Sequence, residues 1–307
     1  MHLASLVFPI FAVIMTGWLA GALGYLPRSL AGPLVQFAYN VAMPALIFLT
    51  IAQEPLRGLL DWGFLAAFGG GSVICFAAVI LVARAGLGRS LASSAMFGAV
   101  AAMTNTGFVA LPILQALYGP RGVLPAAIAT VVIAVVLLPA TIALLETSAR
   151  GGKKQPQASL LIRHILINPV MISTVLGLAW SVVGVPVPKL IADYTGIFGE
   201  ALTPCALFAI GLGLTLDELR GDLKQAAVLS VVKLAVTPLI VYGLCVLCGL
   251  SQFSTIAAVV CAAVPTAKTA YILAGEYHVE ESMTASTVSL TTLLSVPTLL
   301  AWLYLLG

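Results

Sequence analysis

Ten apolar stretches follow one another along the chain with only short polar connections between them: 3–23, 30–50, 62–82, 90–117, 123–145, 165–183, 190–214, 223–248, 255–277 and 283–306. A helix rises about 1.5 Å per residue, so about 20 mostly apolar residues cross a hydrocarbon core about 30 Å thick, and each stretch is read as such a span. Of 307 residues 61% are hydrophobic and 8% charged, against about 45–50% and about 25% in soluble domains, so the soluble classes are excluded and the lipid bilayer is the solvent. The net charge of +3 is spread over many connections. Without a Lys/Arg stripe to neutralise phosphates, nucleic-acid binding is excluded too. All five cysteines lie inside apolar stretches, where they act as small hydrophobes. The pair Cys245 and Cys248 has no second pair and no nearby histidine, so no metal and no cofactor is expected. The N-terminus has no basic leader or small-residue cleavage pattern, and 3–23 is expected to be a retained helix.

The connections orient the spans. Arg28, Arg84, Arg89, Arg150, Lys153, Lys154, Arg163, Arg220 and Lys224 fall on the face opposite the N-terminus, and only Arg57, Arg121 and Lys189 fall on the other. Lys and Arg are retained on the cytoplasmic side, which puts both termini outside. The polar linker divides the chain into a first five-helix repeat at 1–145, a cytoplasmic linker at 146–163 and a second five-helix repeat at 164–307.

Several signposts recur at a nearly constant offset, as a duplicated ancestor would leave them. Pro9 and Gly17 match Pro169 and Gly177, and Pro44 and Phe48 match Pro204 and Phe208, all 160 apart. Near an offset of 161, the run Ala101–Gly107 falls on Ala262–Lys268. An odd number of spans per half turns the second half upside down. The expected fold is therefore an all-α membrane protein of ten transmembrane helices, built as two inverted five-helix repeats with crossed, broken helices 4 and 9. Secondary transporters commonly have this plan, with the substrate near the midplane where discontinuous helices meet.

The fourth span carries Thr104, Asn105, Thr106, Gly107 and then Pro112; the ninth carries Pro265, Thr266, Lys268 and Thr269. Pro112 and Pro265 are expected to break their helices, because proline lacks a backbone donor and clashes with the preceding turn. Freed backbone in mid-membrane is tolerated only beside protein or a wet cavity, and exposed helix N-termini attract anions. Lys268 near the bilayer centre either meets the charge of a carboxylate substrate or pairs permanently with a helix C-terminus, Glu200 or Glu276. Glu200, the repeat mate of Asn40, is an ion partner, a proton-binding carboxylate or an interfacial residue at a shifted helix boundary. Lys233, the third intramembrane charge, snorkels or pairs with Glu200. The hydroxyls and Asn105 are either interhelical hydrogen-bonders or substrate contacts. Asn168 before Pro169 reads as a helix cap.

The segments 40–48, 104–112, Asn168-Pro169, 233–238 and 265–274 together resemble the auxin efflux carrier family of membrane transporters, including its bacterial members and the plant PIN-like proteins. The resemblance covers essentially the whole chain. It implies ten helices with external termini, a scaffold of spans one, two, six and seven, a moving domain holding the crossed spans four and nine, elevator-like alternating access and a homodimer. It also implies a substrate carboxylate near Asn105 and Thr266, with Asn40 among the binding residues. The short central connection and Lys268 depart from the plant carriers and argue against auxin itself.

The expected function is thus secondary transport of a small organic anion, a carboxylate, with a proton or sodium as candidate coupling ion. An anion channel, a non-transporting membrane sensor and a sodium-coupled bile-acid-type symporter are the alternatives, and saturable counterflow separates a carrier from a channel or sensor. No metalloprotease or serine-hydrolase motif and no paired carboxylate lies within a span, and His2, His164 and His278 all sit at membrane ends, so the chain is not expected to be an enzyme.

Overall fold

The structure is a computed structural model that describes residues 2–53, 61–149, 167–214 and 223–307, with side chains from residue 8 onward. Most of the polar linker, including Arg150, Lys153, Lys154 and Arg163, lies outside the described residues, as do Arg57, His164 and Arg220. The regular elements of the described residues are all helices. Its helices are α1 (His2–Ala22), α2 (Arg28–Gln53), α3 (Trp62–Gly86), α4 (Leu91–Ala102), α5 (106–118), α6 (123–149), α7 (Pro169–Val183), α8 (Lys189–Leu212), α9 (Leu223–Leu247), α10 (Gln252–Ala263), α11 (Lys268–Tyr277) and α12 (Glu281–Leu306). Among the described residues, six helical stretches are long and apolar enough to cross a membrane, and Phe8–Ala22, Leu91–Ala102, Pro169–Val183 and Gln252–Ala263 are shorter apolar helices. The chain is a multi-pass membrane protein.

Several prolines sit inside helices, and the helix accommodates four of them in one way. Wide, π-helical turns at Ala38–Ala42, Thr106–Ala110, Ile133–Leu137 and Val232–Val236 end two residues before Pro44, Pro112, Pro139 and Pro238. A proline offers no N–H and its ring crowds the carbonyl four residues back. Widening the preceding turn relieves that clash without ending the helix. Pro112 is therefore carried inside α5, and the break expected there falls earlier, at Met103–Asn105.

The chain divides into two compact units, each drawn from both halves of the sequence: Met1–Trp62, Gly107–Ile128 and His164–Leu214 form the first, and Gly63–Thr106, Ala129–Arg163 and Thr215–Gly307 the second. In the first unit α1 packs on α8 and α2 on α7, with backbones so close that only glycine fits. A Cβ on Gly17 would lie 2.2 Å from the Phe208 carbonyl oxygen, and one on Gly211 only 1.8 Å from that of Ile14. Gly177 meets the Phe48 carbonyl at 3.1 Å in the same sense. The Arg28 guanidinium donates to the Leu214 carbonyl just past α8 (2.9 Å), satisfying an orphan acceptor at the negative end of that helix. Outward-facing Leu19, Val175 and Leu190 are exposed, as expected of a lipid-facing surface.

The second unit has small side chains at its centre. Every residue of α4 from Ser93 to Ala102 is buried, as is α10 from Ile256 to Ala263. The two helices are built alike: each has 12 residues, with Ser90 Oγ accepting from the Ser93 N–H (3.1 Å) and Ser251 Oγ from the Ser254 N–H (3.2 Å). Gly88 and Gly249, which lead into them, share φ +62°, a conformation glycine adopts without strain.

Candidate functional site

Two helix breaks meet inside the second unit. α4 ends as Met103 turns extended (φ −77°, ψ 106°), and α10 ends as Val264 does (φ −67°, ψ 159°). Helix ends leave backbone donors and acceptors without intrahelical partners, a serious cost in an apolar interior. Here each break satisfies the other. Thr104 and Thr266 form an antiparallel bridge, with the Asn105 N–H donating to the Pro265 carbonyl and the Ala267 N–H to the Met103 carbonyl, both at 2.9 Å. Pro265 needs no acceptor of its own, having no N–H. The Thr106 N–H donates to the Thr104 carbonyl (2.9 Å), which closes a tight turn around Asn105.

Side chains complete the pairing. Thr266 Oγ1 donates to the Val100 carbonyl (2.8 Å) in the last turn of α4, and the Thr266 N–H donates to Thr291 Oγ1 (3.3 Å) on α12. Thr237 Oγ1, on α9, donates to the Ala101 carbonyl (3.1 Å). One turn earlier on α9 the Lys233 ammonium donates to the Ala262 carbonyl, in the last turn of α10. Lys233 is fully buried, so it does not snorkel. It caps the negative end of a helix, where the dipole favours a cation. Thr106 Oγ1 and Thr130 Oγ1 lie 2.8 Å apart.

The structure thus brings Thr104, Asn105, Pro265 and Thr266 together, with Thr106 adjoining and Lys268 and Thr269 opening α11. Thr104, Asn105, Thr106 and Thr266 are buried, and Lys268 and Thr269 half-buried. Thr104 Oγ1 has no hydrogen-bond partner among the described residues, an uncommon state for a buried hydroxyl. Ala267, preceding α11, has no side-chain acceptor to cap the first turn. Gly107 and Pro112 belong to the first unit, as do Asn40 and Glu200, which are both exposed there. Among the described residues no group of three or more His, Cys, Asp or Glu side chains is placed to hold a metal ion. Sequence reasoning did not single out Thr237, Thr291 or Thr130. The available signal for Thr237 was its place one turn after Lys233. Asn168 caps α7 as expected, its Oδ1 accepting from the Val170 N–H (2.9 Å) while its amide donates to Tyr39 Oη (3.0 Å).

A family model described as "Membrane transport protein" matches residues 2–303. The chain belongs to this family. Its relatives place it with the auxin efflux carriers. A protein of Rhizobium meliloti (strain 1021) named "Putative malonate transporter" is 27% identical over 309 residues, covering 99% of this chain and 96% of that protein. An "Uncharacterized transporter" of Methanothermobacter thermautotrophicus is 25% identical over 305 residues, covering 96% of each. "Auxin efflux carrier component 6" of Arabidopsis thaliana is 27% identical over 174 residues, which are 52% of this chain and 30% of the plant protein. These family and relatives' names are those of membrane transporters and not of enzymes.

Proposed function

We propose that this family member is an elevator-type secondary carrier of a small organic anion, a carboxylate, bound where the two helix breaks pair. The observation that carries the reading is the antiparallel pairing of Thr104 with Thr266, with Lys268 as the first residue of α11. A helix N-terminus bears about half a positive charge. An ammonium at that same end adds to the attraction for an anion, and a buried anion needs such compensation. Asn105, Thr104 and Thr269 supply further polar groups for carboxylate oxygens, and the Rhizobium relative's name makes malonate the first probe.

In this reading the chain crosses a bacterial inner membrane ten times as an inverted repeat with both termini periplasmic. The recurring pairs support the repeat: Gly24 and Gly184 share a left-handed turn (φ +71° and +69°), as do Gly88 and Gly249, and Gly17 against Phe208 is mirrored by Gly177 against Phe48. The second unit, carrying the paired breaks, is the moving body. The first, with α1, α2, α7 and α8, is the scaffold through which two copies associate.

The test is thermal unfolding of the purified protein with mono- and dicarboxylates, for wild type and Lys268→Ala. A ligand that binds only the native state at about 100 times its Kd stabilises by about 2.7 kcal/mol. One carboxylate is expected to raise the midpoint of the wild type and not that of Lys268→Ala. Equal responses would remove Lys268 from the site, and no response to any carboxylate would remove the anion reading.

A further inference from the structure

Helix α9 reaches the last turns of both interrupted helices with two side chains one turn apart. Lys233 donates to the Ala262 carbonyl at the end of α10, and Thr237 to the Ala101 carbonyl at the end of α4. Ala101 and Ala262 are 161 residues apart, the offset that relates α4 to α10, so α9 serves equivalent carbonyls with unlike donors. The C-terminal end of a helix carries about half a negative charge. Two such ends with freed carbonyls among buried residues form an oxygen-rich environment for a cation. In coupled carriers half-helix C-termini and unwound carbonyls are where sodium is held. Here the position beside Ala262 is filled by an ammonium on a tether, fully buried. Cys75, hydrogen-bonded to Thr237 (3.0 Å), is the titratable group facing it from α3.

We propose that the Lys233 ammonium is a resident cation standing where a coupling sodium would bind, which makes this chain sodium-independent. The proposal deepens the carrier reading and rests on it. It divides the work of the two lysines: Lys233 neutralises the carbonyl end of α10, and Lys268 at the start of α11 serves the anion. Shortening Lys233 removes the tethered charge, opens space beside Ala262 and turns the environment back into a cation site.

The experiment compares wild type and Lys233→Ser in sodium chloride and choline chloride at equal ionic strength, by thermal unfolding of purified protein and by malonate counterflow in liposomes. Wild type is expected to unfold at the same temperature and to exchange malonate at the same rate in both salts. Lys233→Ser is expected to unfold about 2 to 4 °C higher in sodium than in choline, the size of shift given by a ligand at roughly ten times its Kd. A wild type that needs sodium, or a variant as indifferent to sodium as the wild type, overturns the proposal. So does a variant that folds in neither salt, because sodium then cannot replace the ammonium. Absence of malonate counterflow in the wild type counts against the carrier reading alone, since the unfolding comparison reads the cation site without substrate.

Discussion

Thr104 and Thr266 face each other across the paired breaks, yet their hydroxyls are in opposite situations. Thr266 Oγ1 donates to the Val100 carbonyl at 2.8 Å, so Thr266→Val strands a buried acceptor and is expected to cost about 1–3 kcal/mol, while Thr266→Ser keeps the bond. Thr104 Oγ1 has no partner among the described residues. Thr104→Val therefore removes a buried hydroxyl with nothing to strand, and is expected to leave stability unchanged or raised while weakening the carboxylate-induced shift. Chemical unfolding of the three variants, with and without malonate, checks both statements; a Thr104→Val that unfolds as readily as Thr266→Val would show that its hydroxyl is structurally engaged. The sequence marked both residues as either packing groups or contacts and could go no further, because a hydroxyl's role depends on which carbonyl lies within about 3 Å of it. Lys233 illustrates the same limit. Its presence in an apolar run was legible, but its partner is a carbonyl 29 residues away, and no pattern of residue types announces a particular backbone oxygen.

At the scale of helices, periodicity and apolar length made the helical elements legible, and proline and glycine showed that some would be interrupted. Where they are interrupted was not legible. Proline has two remedies, a wide turn or a break, and the choice depends on what can satisfy the freed groups. Pro112 takes the wide turn at Thr106–Ala110, whereas Pro265 stands in a break that finds a partner in Asn105. Glycine at close helix approaches gives the sharpest test. Gly211 lies against the backbone of Ile14, and an added Cβ would come within 1.8 Å of its carbonyl oxygen. Backbone cannot step aside as a side chain can, so Gly211→Ala is expected to lower stability by at least the ~1–3 kcal/mol typical of overpacking. Gly243, on α9, has nothing within 4 Å of an added Cβ, and Gly243→Ala is expected to be neutral or slightly stabilising, since alanine is the better helix former by about 1 kcal/mol. Unfolding midpoints of the two alanine variants, measured together, test the packing of α1 against α8.

For the whole molecule, the constant offset between halves was visible as residue pairs, but the compact units cut across those halves. A sequence-local division at 146–163 describes how the chain would have arisen by duplication; packing groups α1 and α2 with α7 and α8, because elements bury their apolar faces against whichever partner fits, not against chain neighbours. The inverted arrangement still makes a prediction that depends on neither unit. Five crossings separate the linker from the C-terminus in this reading, so the two must lie on opposite sides of the membrane. The Lys/Arg count places the linker, with Lys153 and Lys154, in the cytoplasm, because positively charged segments near span ends resist translocation. Alkaline phosphatase, which is active only after export, is expected to be active when fused after Gly307 and inactive when fused after Gly152, with a cytoplasmic fluorescent reporter giving the reverse. Equal activity at the two positions would mean an even number of crossings between them. The second half could not then be an inverted copy of the first, and the matched glycines of α1 and α7 would have to be explained by packing alone.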